Sequence, residues 1–469
     1  MKKPPPTPTP PSPPTSPPLT HPTPPTPSLS ASAPHCSASD PASGSFLPPI
    51  GPKMGYATAD IPGIGGVLNQ RHSDFIVQEI PLYEPQGHGE HLYLFIQKQG
   101  LNTLHVRKTL AKHFNVRKSD VSYAGQKDKN AITRQLFSIY LPKLKDDQPL
   151  LASLNAQAQK LRFDVLWADR HANKLRLGHL KANRFTIKIR QVQPTDAVRV
   201  HTMLKQLSAL GCPNFFGKQR FGFNQNNHLM GGYLIAQKPQ ALLDDMLGTQ
   251  HTLQTDRTFY ARNAYQNGDF PQALEHWPQS QRPERQALAA LAQRGTAAQA
   301  VNTIDTKHRL FLACSAQSFV FNLLLKQRLA DGTWCQLMPG ELAFKHDNGA
   351  LFATTAEDMA QENGPSGRVP TLAISGSGPL WGAKMPRAED QADAMECQAL
   401  ADAGLSVDDF LAKNPYLPYL NGDRRALRMA VEDVDVSGGA DEHGPYVQTH
   451  FTLGKGCFAT AVLRELMKC

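Results

Sequence analysis

"VSYAGQKDKNAITRQLFSIYL", residues 121–141, reads as strand, loop, strand. Valine, tyrosine, phenylalanine and isoleucine alternate with polar residues on both sides, and Gly125 opens a polar run between them. The loop places one carboxylate, Asp128, between Lys127 and Lys129. A tight connection between two strands holds a side chain rigidly while leaving it reachable. On these residues alone, Asp128 is either a group held for chemistry or a solvated turn residue neutralised by its neighbours.

Outward from that loop the chain alternates element types. "DFIVQEI" from Asp74 and "HLYLFIQKQ" from His91 read as strands, and "TLHVRKTLAKHF" as a helix capped at Thr103 with Leu104, Leu110, Ala111 and Phe114 on one face. "NRFTIKIR" puts Phe185, Ile187 and Ile189 on one side of a strand and Lys188 and Arg190 on the other. "AVRVHTMLKQLSALG" reads as a helix with Val200, Met203, Leu204 and Leu207 inward and Gly211 as its stop. Residues 230–330 are helical in texture, and the chain closes with an alternating strand, "YVQTHFTL", a Gly turn and a helix. Strands and helices without regular βαβ spacing predict a mixed α+β fold.

The chain has 469 residues, 40% of them hydrophobic, enough for two domains with sizeable cores. Its 49 Lys and Arg against 40 Asp and Glu give a net charge of +9, which favours polyanionic partners without demanding RNA. Seven scattered cysteines with no C-x-x-C pair point to a reducing, cytoplasmic setting and no structural metal. His88 and His91 in "GHGEHLY" lack a third ligand and read as surface residues. No apolar run approaches the ~20 residues of a membrane span. The first fifty residues hold 18 of the 38 prolines and cannot bury a core. They read as a partner-binding tail or as an artefact of start-site choice; the expectation is that translation begins at Met54.

Several segments invite functional readings. "GIGG" at Gly63, "SGSGPLWG" at Ser375 and "LGKGCFAT" at Leu453 lack phosphate-loop spacing and read as turns. "YARNAYQNGDFPQALEHW" has tetratricopeptide texture but occurs once, where a solenoid needs about three repeats. "PNFFGKQRFGFNQNN", residues 213–227, gathers four phenylalanines with Lys218, Arg220 and several side-chain amides. Such a mixture suits stacking on extruded bases, with amides reading base edges and cations holding phosphates. Taken alone, it reads more readily as core phenylalanines with polar turn caps.

"AGQKDKNAITRQ" and "PNFFGKQRFG", in this order and about ninety residues apart, resemble the two signature motifs of the tRNA pseudouridine synthase D (TruD) family. "DFIVQE" at Asp74, "LRLGHLKANRFTIKIR" at Leu175, "SGSGPLWG", "GDRRALRM" at Gly422 and "GCFATAVLREL" at Gly456 are similar to further family segments. The likeness runs from about residue 60 to the end. The Pro-rich tail and the length of the helical stretch at residues 240–305 depart from it. So does Asn69, which stands where family members often carry a lysine paired with the catalytic aspartate; Arg71 is the candidate replacement.

The resemblance implies an isomerase that converts a uridine of tRNA, at position 13 of the D-stem, to pseudouridine without cofactor or metal. It implies a catalytic domain of residues 54–234 and 430–469 on a mixed, mostly antiparallel sheet, and an inserted α/β TRUD domain of residues 235–429. Asp128 is then the catalytic group, acting at C1′ directly or through the C2′ proton, and Lys127, Lys129 and Arg71 keep it charged. Phe216 stacks on the flipped uracil and Asn214 hydrogen-bonds it, while Phe75 and Phe458 close the pocket and Lys127 and Arg71 line it. Lys129, Lys181, Arg184, Lys218 and Arg220 meet RNA phosphates. The expected state is a monomer with tRNA as partner and no membrane association. The competing class is an inactive tRNA-folding chaperone, against which the placement of Asp128 argues.

Overall fold

The computed structural model describes residues 54–68, 71–142, 146–250 and 256–468. Asn69 and the Pro-rich segment to residue 53 lie outside them. In chain order the strands are β1 (Phe75–Pro81), β2 (His91–Gln99), β3 (Val121–Tyr123), β4 (Ile132–Tyr140), β5 (Phe163–His171), β6 (Leu180–Arg190) and β7 (Cys212–Pro213). After a helical region come β8 (Leu342–Lys345), β9 (Leu351–Ala353), β10 (Ile374–Leu380), β11 (Asp423–Ala426), β12 (Arg428–Met429), β13 (Glu432–Asp441) and β14 (Gly444–Gly454).

The large sheet runs β13-β14-β6-β1-β4-β2-β5, with β3 paired to β4. Among the described residues its one parallel pair is β1 with β4, Ile76 beside Ile132, and every other pairing is antiparallel. This is a mixed, mostly antiparallel sheet in an α+β fold. Its last two strands come from the end of the chain, where β14 pairs along most of β6, from Tyr446–Arg190 to Gly454–Ala182. A smaller antiparallel sheet has the order β11-β10-β8-β9. The two-residue ladder of β7 with β12, extended by the Asn214 N–H to the Leu427 carbonyl at 2.9 Å, ties the point where the chain leaves the first sheet to the point where it returns.

Helices cover one face of the large sheet in two groups. Thr103–His113 packs on β2, β4 and β5 over Leu94, Ile96 and Phe137. Ala197–Leu210 and Ala459–Met467 pack on β1, β6 and β14 over Val77, Ile187 and Phe451. Ala197–Leu210 buries Val200, Met203, Leu204 and Leu207, the stripe its period predicts. Thr103–His113 departs from expectation. Its cap is Asn102, whose side chain accepts the His105 N–H at 2.7 Å, and Leu104 is half exposed while Thr103 and Val106 are buried. The helix is rotated to turn the Thr103 hydroxyl inward, where the Asp128 loop uses it.

Between the sheets lies a third core that runs from Phe215 through the helices to Leu427. The tetratricopeptide-like stretch forms one hairpin, Phe259–Gln266 and Phe270–His276, packed against it. Its longest element, Thr306–Ala330, has the length and composition of a membrane span, but 67% of its apolar window is buried in protein. "SGSGPL" is not a turn: Ser375–Gly378 lies in the middle of β10, where a Gly378 side chain would meet Phe321 and Leu324 at 3.0 Å.

Helix Asn227–Ile235 lies against Thr306–Ala330 so closely that a Cβ on Gly231 would sit 2.0 Å from the Leu312 carbonyl oxygen. Gly231→Ala therefore has to push the pair apart, at about 1–3 kcal/mol or more. A lowered urea midpoint is expected; an unchanged one would mean that the contact is not close-packed.

Candidate active site

The two apolar groups on the covered face of the large sheet do not merge. The side chains between them are polar: Lys98 on β2, Thr133 and Gln135 on β4, Glu79 on β1, all buried, and Asn183 on β6. An isolated charge at such a seam is costly to desolvate. Here the charges of Lys98 and Glu79 and the amides of Gln135 and Asn183 are met by partners, most of them in the Ala124–Asn130 loop that joins β3 to β4, while Thr133 Oγ1 has no hydrogen-bond partner among the described residues.

The loop backbone is bonded at several points. The Lys127 N–H donates to Thr103 Oγ1 (3.0 Å), and that hydroxyl donates to Gln135 Oε1 (2.9 Å). Gln135 Nε2 donates to the Gly125 carbonyl (3.1 Å), and the Gly178 N–H to the Ala124 carbonyl (2.7 Å). Lys98 Nζ donates to the carbonyls of Leu101 (2.7 Å) and Asp128 (3.0 Å). Burial pushes the Lys98 ammonium down to about 8, with the Asp128 charge opposing that shift and Lys127 adding to it. The Asp128 side chain is exposed, and among the described residues its carboxylate has no hydrogen bond or ion pair. The backbone is held and the functional group is left open.

Lys127 and Arg71 sit differently from the sequence expectation. The Lys127 ammonium turns into the seam, 3.0 Å from Glu79 Oε2 and 2.6 Å from Asn183 Oδ1, with side-chain exposures of 7% for Lys127 and 0% for Glu79. It neither flanks the Asp128 carboxylate nor faces solvent, because a buried Glu79 requires a cation. Burial raises the Glu79 carboxyl above its ordinary 4.5, while Lys127 and the Leu136 N–H pull it back. Arg71 is exposed at the entry to β1 and forms no ion pair with Asp128 among the described residues. The cation that reaches residue 128 is Lys98, and it reaches the backbone.

A second constellation forms where "PNFFGKQRFG" meets the start of helix Ala459–Met467. Phe216 lies edge-on to Phe321 (5.7 Å between ring centres) and tilted against Phe458 (6.2 Å); Phe458 is 45% exposed. Asn322 clamps the Phe216 backbone, Oδ1 accepting its N–H (2.9 Å) and Nδ2 donating to its carbonyl (3.0 Å). Asn214 is buried and donates Nδ2 to the Ala426 carbonyl (2.9 Å), while its Oδ1 accepts from Arg425. Phe75 is not part of this group. It is buried under the sheet, edge-on to Phe185 at 6.3 Å, in the cluster that also holds Ala131 and Ala459. That shared core supports both constellations, through Ala131 after the Asp128 loop and Ala459 after Phe458.

Of the cations expected at RNA phosphates, Lys129, Lys181 and Lys218 are exposed. Arg184 is exposed and 3.5 Å from Asp433. Arg220 is half-buried: its Nε donates to Ser318 Oγ (3.1 Å) and its guanidinium lies over Phe311 and Phe216, so it is packed rather than free. Phe223 is 98% exposed at the tip of the same loop. His88 is exposed, but His91 is buried beside Tyr140 rather than on the surface.

Sequence reasoning missed Glu79, Lys98 and Arg425. Glu79 and Arg425 stand inside "DFIVQE" and "GDRRALRM", so the motifs contained them, but only sheet register shows what they touch.

A family model described as tRNA pseudouridine synthase D (TruD) matches residues 53–466. The chain is 36% identical over 414 residues to the tRNA pseudouridine synthase D of Geotalea daltonii, covering 88% of this chain and 99% of that one. It is 32% identical to that of Thermus thermophilus, covering 88% and 92%. A crystal structure titled as the putative tRNA pseudouridine synthase D from Methanosarcina mazei superposes with a TM-score of 0.73 at 26% identity, covering 88% and 96%.

Lys127→Met leaves Glu79 buried without its cation, which costs about 3–5 kcal/mol at neutral pH. A carboxyl whose folded pKa stands above its unfolded value gives most stability below the unfolded value and loses it as pH rises through the folded one. The deficit of the variant should therefore shrink toward pH 5 and grow toward pH 8 in urea titrations; a deficit independent of pH would contradict the buried pair.

Proposed function

The chain belongs to the tRNA pseudouridine synthase D family, and from that premise we propose that it isomerises a uridine of the tRNA D-stem, at position 13, with Asp128 acting at the sugar. It is a tRNA pseudouridine synthase, and the finer points concern where on the RNA and by which residues. The observation that carries the residue assignment is the loop of Asp128, its backbone fixed by Lys98, Thr103 and Gln135 while its carboxylate stays free.

Isomerisation breaks the C1′–N1 bond, turns the uracil and joins its C5 to the same C1′. An ionised carboxylate beside C1′ suits an electron-poor sugar carbon, as nucleophile or as base toward the C2′ proton. Fixing the loop beforehand removes the entropic cost of positioning the carboxylate at the moment of reaction. A uridine inside a stem must first be flipped out, at a cost of a few kcal/mol. Stacking on the Phe216–Phe458 pair returns about 1–3 kcal/mol of that. Lys129, Lys181 and Lys218, with Phe223 in the same loop as Lys218, supply exposed cations and an exposed aromatic ring for the RNA.

The test is release of tritium from a tRNA transcript labelled at uridine C5, since C5 must lose its hydrogen when it bonds C1′. The wild-type protein should release it from a D-stem uridine. Asp128→Asn should release none, and Phe216→Ala should lower turnover by about tenfold or more while RNA binding keeps its salt dependence. Equal release by wild type and Asp128→Asn would remove Asp128 from the reaction.

A further inference from the structure

Two adjacent arginines on β11 are treated differently by the fold. Arg424 is buried against Glu396, with contacts of 2.6 and 2.9 Å. Arg425 points to the other side of the strand, toward the aromatic pair, and among the described residues no carboxylate meets it. Its acceptors are neutral: Asn214 Oδ1, the Asn214 carbonyl (3.3 Å) and the Gly456 carbonyl (3.3 Å). Its guanidinium lies 4.3 Å from the Phe216 ring centre and 5.7 Å from those of Phe321 and Phe458. Burial lowers it to about 10, and the nearby Arg220 adds to that. A desolvated cation with only neutral partners is held at a cost, and that cost falls when an anion arrives.

The anion it fits is not a backbone phosphate, which is fully hydrated at an RNA surface and is met by exposed cations such as Lys181 and Lys218. The guanidinium is a flat group already occupying the space beside Phe216 and Phe458. A flat base that takes its place against Phe216 moves it to the edge of the base, where its in-plane N–H donors face the oxygens on the ring. Resting on the synthase reading of the site, we infer that Arg425 is a catalytic residue that stabilises the uracil anion released when the C1′–N1 bond breaks. In that step the bonding electron pair leaves on N1 and spreads to O2 and O4, where the guanidinium donates. The charge is consumed when C5 bonds C1′. C5 then loses its proton and N1 gains one, so atoms and electrons balance without a further reagent. Asn214 holds the guanidinium in register through its side-chain oxygen and carbonyl.

The experiment compares single-turnover rates on two tRNA transcripts, one with uridine and one with 5-fluorouridine at the target, for wild type, Arg425→Gln and Arg425→Lys. The rate is read as loss of the target nucleoside after nuclease digestion and chromatography, because C5 of 5-fluorouridine carries no proton to lose and that RNA stops once C5 has bonded C1′. Fluorine makes uracil a more stable anion and a better leaving group, so it substitutes for part of what the arginine supplies. Arg425→Gln should lose about 100-fold on uridine, the scale of one donor to a developing anion, and at least tenfold less on 5-fluorouridine. Arg425→Lys should lie between. The salt dependence of RNA binding should not change. The same deficit on both RNAs would reduce Arg425 to a prop for Asn214 and overturn the inference. So would an intact rate with a salt slope lowered by about one, the mark of a phosphate contact. If Arg425→Gln fails to fold, the ratio of the two substrates in Arg425→Lys decides. A wild-type protein that leaves both RNAs unchanged would overturn the synthase reading itself, a failure distinct from the others.

Discussion

The buried ion pair between Lys127 and Glu79, 3.0 Å apart and joined by Asn183, is the constraint around which this molecule is arranged. It sits at the polar seam between two apolar groups on one face of the large sheet. Its partners come from β1, β6 and the loop before β4, so it closes only when β1 and β4 lie parallel in register and β6 lies antiparallel beside them. A pair so buried adds little net stability over well-packed apolar residues. What it does fix is the residue next to Lys127. With the ammonium drawn inward, the next side chain along the loop, that of Asp128, faces out.

The second half of the site depends on a different contact, the return of the chain at residues 423–429. The ladder of β7 with β12 brings "GDRRALRM" to "PNFFGKQRFG", and Arg425 and Asn214 meet there. Phe216 then belongs to the core of the helical region, while Phe458, its neighbour, opens the last helix of the large-sheet unit. The aromatic pocket is therefore built from both sides of a junction. The carboxylate loop is built from one side alone. Both rest on the cluster that contains Phe75, Ala131 and Ala459, which gives that cluster a positioning role in addition to its packing.

Much of this was legible in the residues. Alternation in "DFIVQEI", "HLYLFIQKQ" and "NRFTIKIR" marked strands that exist, and the helical stripe of Val200, Met203, Leu204 and Leu207 is the buried one. The loop between two strands was visible from Gly125 and the polar run after it. What stayed hidden was every partner set by register: Glu79 lies 48 positions before Lys127 and Asn183 lies 56 after it, and no local pattern joins them. Local spacing puts Lys127 beside the carboxylate it precedes, whereas the desolvated Glu79 outcompetes an exposed neighbour for the ammonium. Leu104 was misplaced for a related reason, since the inward position went to the hydroxyl of Thr103 that the loop needs. Arg425 looked like any cation in an Arg-rich motif until its acceptors were seen to be neutral.

The seam serves to place Asp128 rather than to stabilise the fold. The double replacement Glu79→Leu with Lys127→Met removes both charges and leaves no unpaired one. Its urea stability should stay within about 1–2 kcal/mol of wild type, since apolar pairs replace buried ion pairs at little cost. Its single-turnover rate of pseudouridine formation should nevertheless fall at least about tenfold, because the loop loses its inward anchor. A double variant that is stable and fully active would show that the seam does not position Asp128.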